Sequence, residues 1–346
     1  MKDLLIRLHW VCRCLCLLAA FCIAPFMAPG ASVAGDPPGL VTLSTIKTRS
    51  LSMGGAFTSI RDDLAALDFN PATFTLDPYA GENRFYAFLN PIGPYLSFKN
   101  RHAYSDWTVP VGMCVRGIGL SMGRIDIGVL FGEESLRNQV RLERRDFFNG
   151  SKYETERNNS LGFSFALAPR VSLGFAGEMF IRNRDWHKLR FGYRYGLVVQ
   201  PRTNIAVGLC YMDFPDEYKN DRVPLERLSD ETLNVGISYA PWTFLQMALD
   251  IRNVSDEDKS AAREPHLGLE LQPLRHLILR GGYARSTDGK LETFSFGLGL
   301  LDVNRFIWKT RSHDRPFFGI QSGCVFQNAL SVRSSWFFLS CLIRIG

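Results

Sequence analysis

Val171-Ser-Leu-Gly-Phe-Ala-Gly-Glu-Met-Phe-Ile-Arg182, followed after a short polar gap by Leu189-Arg-Phe-Gly-Tyr-Arg-Tyr-Gly-Leu197, carries a two-residue rhythm. Val171, Leu173, Phe175, Met179 and Ile181 alternate with Ser172, Gly174, Ala176, Glu178 and Arg182. Leu189, Phe191, Tyr193, Tyr195 and Leu197 alternate with Arg190, Gly192, Arg194 and Gly196. Successive side chains of a strand point to opposite faces, so both segments have one apolar face and one polar or small face. The rhythm recurs from about Arg116 to Leu300, and in the mature chain no apolar run is long enough for a membrane helix. The reading is an all-β fold, a transmembrane antiparallel β-barrel whose apolar face meets lipid.

Working outward, clear alternation spans 116–122, 124–132, 160–168, 171–182, 188–200, 203–212, 232–240, 243–252, 265–272, 275–284 and 292–301. Weaker strands are expected at 84–90, 94–99 or 105–111, 138–146, 317–326 and 330–340. This gives about fourteen strands, sixteen at the upper end, each near the ~10 residues of a tilted membrane strand. Short turns are expected at Ala168-Pro-Arg170, Gln200-Pro-Arg202, Ala240-Pro-Trp242 and Gln272-Pro-Leu274, where proline fixes φ and offers no ladder donor. Longer polar connections are expected at 144–159 (with a turn at Asn149-Gly150), 182–188, 213–231, 253–264, 285–291 and 302–316. The long loops are expected to face outside and the proline turns the periplasm.

Residues 1–34 read as a secretion signal. Lys2, Arg7 and Arg13 precede an apolar core from Cys14 to Met27, and Ser32-Val33-Ala34 offers small residues for cleavage near Ala34. The alternative is an uncleaved anchor, against which the run of about 14 apolar residues falls short of the ~20 a span needs. A lipoprotein would want a small residue where Phe21 precedes Cys22. The expected organisation is signal peptide 1–34, leader and hatch 35–80, and barrel 81–346, with the bacterial outer membrane as destination.

Of 40 Lys+Arg and 34 Asp+Glu, the signal removes three basic residues and one acidic one, so the mature chain carries 37 and 33, a net charge of +4. That balance is too mild to indicate nucleic acid. Cys114, Cys210, Cys324 and Cys341 of the mature chain are scattered and read as small fillers, neither a zinc site nor a disulfide framework. Tyr193, Tyr195, Tyr211, Tyr239, Trp242, Tyr283 and Trp336 stand near strand ends, as in the aromatic girdles of membrane barrels, although aromatics favour any sheet. Gly174, Ala176, Gly192, Gly196, Ala206, Gly208, Gly236, Ser238, Gly268, Ser295, Gly297 and Gly299 fall on the inward phase. Small residues there leave room for a plug or an apolar ligand; equally, glycine permits strand curvature.

Residues 48–76 lack alternation. Gly54-Gly55 allows tight bends, Asp62-Asp63 caps a short helix over Leu64 to Leu67, and Asn70-Pro71 stops it. The expectation is a compact apolar knot ahead of the barrel. Met53-Gly-Gly-Ala56, Asp62-Asp-Leu-Ala-Ala-Leu67 and Asn70-Pro-Ala72 resemble the signature of the outer-membrane long-chain fatty acid transporter (FadL-like) superfamily. In style they are closest to uncharacterised spirochaete barrels and the shuttle barrel of the type IX secretion system. His266-Leu-Gly-Leu-Glu270, Leu279-Arg-Gly-Gly-Tyr283 and Thr293-Phe-Ser-Phe-Gly-Leu-Gly299 are similar to that group's closing strands.

The resemblance implies a roughly fourteen-stranded barrel with an N-terminal hatch in its lumen and passive uptake of hydrophobic compounds such as long-chain fatty acids. It also implies outer-membrane lipid and the barrel assembly machinery as partners. Gly54, Gly55, Asp62, Asp63, Asn70, Pro71 and Ala72 would belong to the hatch and position backbone without performing chemistry. No motif marks ligand-binding residues. One departure is the chain's end, Cys341-Leu-Ile-Arg-Ile-Gly346, where such barrels end on an aromatic residue. Either the last strand ends near Phe338 or the terminus is atypical.

No catalytic signature and no cofactor motif is present, so the chain is read as a non-enzyme. His266 and His276 fall on neighbouring expected strands and could face each other, and a lipid-cleaving barrel would need such a His beside a serine nucleophile; the six dispersed His read instead as strand-end or loop residues. Asp256-Glu-Asp258 lacks the spacing of a calcium loop and reads as a solvated tip. The competing functions are a barrel used for protein secretion or surface attachment, a general porin, and a periplasmic β-sandwich.

Overall fold

The computed structural model describes residues 40–43, 46–62, 64–76, 83–90, 114–136, 155–182, 190–213, 232–255, 263–274, 277–287, 289, 291–300, 317–329 and 332–345. The signal-peptide, 94–99, 105–111, 138–146, Asn149-Gly150 and Asp256-Glu-Asp258 readings lie outside the described residues.

The fifteen strands are β1 (Leu40–Leu43), β2 (Asn83–Leu89), β3 (Val115–Met122), β4 (Ile125–Leu136), β5 (Thr155–Ala168), β6 (Val171–Arg182), β7 (Arg190–Arg202), β8 (Ile205–Asp213), β9 (Thr232–Trp242), β10 (Leu245–Arg252), β11 (Glu264–Leu274), β12 (Leu277–Arg285), β13 (Leu291–Leu300), β14 (Phe317–Ala329) and β15 (Val332–Ile345). From β2 to β15 each strand pairs antiparallel with the next, and β15 returns to β2 through Ile343–Leu89, Arg344–Phe88 and Ile345–Ala87. The result is a closed ring of fourteen strands. β1 adds in parallel to β15, Leu40 opposite Ser335 and Leu43 opposite Phe338. Closure removes the free edges of the wall, as a bilayer interior demands.

The outward phase is apolar and exposed: Phe165, Leu173, Tyr195, Ile237, Leu249, Leu267 and Phe296 each keep about two-fifths or more of their surface accessible. A soluble fold would bury them; hydrocarbon explains their number and contiguity. At ~3.3 Å per residue and a ~40° tilt, a twelve-residue strand such as β6 rises about 30 Å along the barrel axis, the thickness of a bilayer core. Among the described residues no helix is long and apolar enough to cross a membrane.

Aromatic pairs follow the ladder. Tyr195 lies opposite both Phe175 and Tyr211, with ring centroids 5.3 and 6.4 Å apart. Tyr193, Tyr211 and Tyr283 sit toward the long-connection end, whereas Tyr239, Trp242 and Phe244 sit toward the short-turn end. The two groups form bands on either side of the apolar zone. The side chain of Trp336 is outside the described residues.

Three details differ from the sequence reading. First, only Pro169 occupies a turn; Pro201, Pro241 and Pro273 lie within strand ends, and two-residue turns follow at Thr203-Asn204 and Thr243-Phe244. Each of these prolines sits where the register slips, between Val199 and Arg202, Tyr239 and Trp242, and Leu271 and Leu274. Gln200, Ala240 and Gln272, just ahead of the prolines, donate their N–H to the second turn residue of the preceding hairpin (Arg170, Asn204 and Phe244) at 2.8–2.9 Å. The ladder breaks there, so a residue without an N–H costs nothing at the bulge.

Second, strand direction places the 301–316 connection at the same end as the short turns, and the two-residue link from β14 to β15 at the end of the long connections. The expectation that every long loop shares one side is thereby corrected: loop length is free to vary wherever a connection leaves the bilayer. Third, β15 continues to Ile345 and does not stop near Phe338. Its last residues supply the only register pairs among the described residues that join β15 to β2.

Candidate functional site

Residues 46–76 lie against the inner wall. A five-residue helix, α1 (Thr48–Ser52), ends on Gly54 and Gly55 at φ +66° and +75°, a left-handed exit that residues with a Cβ rarely adopt. A 3-10 turn follows over Leu64–Asp68 and another over Pro71–Thr73. Asn70 caps the second: its Oδ1 accepts from Ala72 N at 3.0 Å. Asp62 bridges Phe74 through its backbone, and its carboxylate accepts from Arg49 at 3.3 Å. Asp63 lies outside the described residues.

The wall meets this segment with glycine. On every strand from β3 to β14 except β10, a glycine faces inward where a Cβ would overlap the segment. The chain sweeps round the lumen against them. Ser52 abuts Gly297 and Gly323, Met53 and Gly54 abut Gly268 and Gly282, Thr58 abuts Gly208 and Gly236, Asn70 to Ala72 abut Gly174 and Gly196, and Leu67, Phe74, Leu64 and Leu76 abut Gly162, Gly128, Gly117 and Gly119. On β10 the position belongs to Ala248, which packs with Met53, Ala56 and Phe57. At these positions the small inward residues leave room for residues 52–76. Backbone approaches of this kind, such as Met53 O at 2.7 Å from a Cβ on Gly268, leave no space for a methyl group.

Polar groups fix the segment at defined points. Asp250 Oδ2 accepts from Phe57 N and Thr58 N, both at 2.8 Å. Arg252 donates to Gly55 O at 2.5 Å, His266 Nδ1 to Gly54 O at 2.5 Å, and Gly54 N to Ser295 Oγ at 2.8 Å. Asn70 Nδ2 donates to Thr58 O at 2.7 Å and to Leu209 O at 3.2 Å; Ser172 donates to Ala72 O at 2.9 Å.

Two buried charge networks flank these bonds. Arg49 grips Glu270 with two donors at 2.6 and 2.9 Å, and Arg280 donates to the same carboxylate at 2.5 Å. Lys47 pairs with Asp68 at 3.0 Å, Asp68 with Arg194 at 3.5 Å, and Arg194 with Glu178. All these side chains are buried. Opposed charges in a low-dielectric interior attract strongly, and each member is costly if its partner leaves.

The structure thus divides the motif residues between two places: Gly54 against β11–β13 with Gly55 held by Arg252 of β10, and Asn70, Pro71 and Ala72 against β6–β8, with Asp62 held by Arg49. The segment is more polar than the apolar knot expected, because backbone that crosses a lumen needs partners from the wall. Arg49, Lys47, Asp68, Asp250, Arg252, Glu270 and Arg280 were not singled out by the sequence. For the wall residues among them a signal lay in the cross-strand pairs: Glu270 stands opposite Arg280, Arg252 opposite Glu264 and Asp250 opposite His266; Lys47, Arg49 and Asp68 belong to no strand. His266 lies opposite Ala284 on β12; His276, with which it was expected to pair, is outside the described residues. Cys210, Cys324 and Cys341 are buried in the wall.

No protein-family model matches the chain, and no curated protein matches it. Among solved structures it is similar to the toluene transporter TbuX of Ralstonia pickettii (13% identity over 87% of this chain and 98% of that one, TM-score 0.49). It is also similar to the monoaromatic hydrocarbon channel CymD (12%, 86% and 96%, 0.49) and to the toluene transporter TodX of P. putida (13%, 87% and 98%, 0.47).

Proposed function

We propose that the chain is a non-enzymatic channel of the bacterial outer membrane for hydrophobic compounds, with residues 46–76 as its hatch and long-chain fatty acids as the ligand class. Residues 1–34 act as a cleaved secretion signal and the fatty acid transporter superfamily is the home of the fold. The observation that carries this reading is the glycine cradle: a wall built without side chains where one internal segment lies is a wall shaped for a plug. A plugged barrel excludes ions and sugars, which a general porin admits. An alkyl chain entering such a lumen gains about 0.8 kcal/mol per buried CH₂.

The buried Arg49–Glu270–Arg280 cluster favours a second reading, in which the hatch never moves and the barrel serves as an anchor for secretion or surface attachment. A disulfide separates the two. A Cβ on Gly323 lies 3.5 Å from the Cβ of Ser52, within disulfide range. In a background with the native cysteines replaced by serine, Ser52→Cys with Gly323→Cys locks the hatch under oxidation. Uptake of radiolabelled oleate or toluene into proteoliposomes is expected to stop when oxidised and to resume on reduction. Uptake unaffected by the lock contradicts the channel reading through this hatch.

A further inference from the structure

We propose that the short-turn rim over β3–β8 is a binding surface for the phosphate headgroups of anionic glycerophospholipid in the leaflet it meets. Arg124, Arg170 and Arg202 stand exposed at the turns of three successive hairpins, β3–β4, β5–β6 and β7–β8. With strands about 4.8 Å apart, neighbouring hairpins place these guanidinium groups about 10 Å from one another along the rim. None of the three turns contains a carboxylate; the nearest acid in the described sequence, Asp126, is on the inward phase opposite Ser121 and Ser164. Arg170 donates one Nη1 bond to Pro201 O at 3.1 Å, which directs its guanidinium along the rim toward the next hairpin.

Immediately toward the middle of the bilayer lie outward Phe165, Leu167 and Leu173, and the next hairpin carries Trp242 stacked on Phe244 with centroids 5.5 Å apart. Cationic forks over a continuous apolar belt match one partner: a phosphate above acyl chains. A guanidinium presents paired donors to phosphate oxygens, which a zwitterionic headgroup shields with its own cation. An acidic soluble protein would have to dock on a rim whose neighbouring surface lies in hydrocarbon.

The test uses the full mature chain refolded into phosphatidylcholine vesicles. Spin-labelled phosphatidylglycerol and spin-labelled phosphatidylcholine report immobilisation at the protein surface. The wild-type chain is expected to prefer the anionic probe, at about fivefold per arginine engaged. Arg124→Gln/Arg170→Gln/Arg202→Gln is expected to lose that preference, and high salt to weaken it. Arg170→Gln alone, with heat-modifiable migration as the check of folding, gives an intermediate value and keeps the test decisive if the triple variant fails to fold. Equal preference in wild type and variants overturns the proposal. So does displacement of the anionic lipid by millimolar inorganic phosphate, which would reassign the site to free anion. Loss of a co-purifying acidic protein with lipid preference intact overturns it as well.

Discussion

Glu270 shows how much depends on single side chains inside this wall. It neutralises Arg49 of the N-terminal segment and Arg280 of the barrel wall together. Glu270→Gln takes the shared carboxylate from Arg280 and Arg49, with Asp62 still 3.3 Å from Arg49; breaking a buried pair costs about 3–5 kcal/mol. The expected outcome is a loosened hatch within an intact barrel: a cysteine at Ser52 becomes reactive to a soluble maleimide while heat-modifiable migration persists. Unchanged protection would show that the cluster does not hold the hatch. Gly174 offers the complementary case. Its inward position touches the backbone of Pro71 and Ala72. Gly174→Leu inserts volume where nothing flexible can yield, beyond the ~1–3 kcal/mol of ordinary overpacking. Displacement of the hatch, read as raised single-channel conductance, is expected; Gly177, whose Cβ would meet open space, is the control position where Gly177→Leu leaves conductance unchanged.

Strands and turns obey rules of a different kind. The last strand closes the ring through Ile343, Arg344 and Ile345 alone among the described residues. Deleting 341–346 is therefore expected to abolish the heat-stable compact form on gels, whereas deleting only Gly346 leaves it; a stable barrel without 341–346 would refute this closure. The strands were legible in the sequence because hydrocarbon forces one face of each to be apolar, and a period of two has no competing explanation over ten residues. Pro201, Pro241 and Pro273 were legible as interruptions but not as bulges, since a missing donor is tolerated equally in a turn and in a slipped register. The end assigned to 301–316 was not legible from its length, because parity of strand count decides it. Residues 48–76 stood out in the sequence by their lack of alternation, and the small inward faces include the positions against which that segment lies. Its electrostatic anchors were hidden: Arg49 and Glu270 lie 221 positions apart, and nothing local in either stretch names the other.

At the scale of the whole molecule, the described strands form a closed lipid-facing wall with residues 46–76 lying inside it at the level of the cradle. Polar bonds from β9–β13 and apolar packing of Leu64, Leu67, Phe74 and Leu76 with Tyr86, Phe88, Leu130 and Leu342 hold opposite stretches of that segment. Removal of the segment is expected to leave the fourteen-strand wall standing, because strand pairing does not depend on it, and to leave buried Asp250, Arg252, Glu270 and Arg280 facing water in an open lumen. Planar-bilayer recording of the mature chain beside a variant lacking residues 46–76 tests this most directly. The wild type should insert and pass little ionic current, and the variant should show large, stable unitary steps. Equal conductance in the two, or a chain that stays folded and monomeric in detergent-free buffer and never inserts, would contradict the plugged transmembrane barrel.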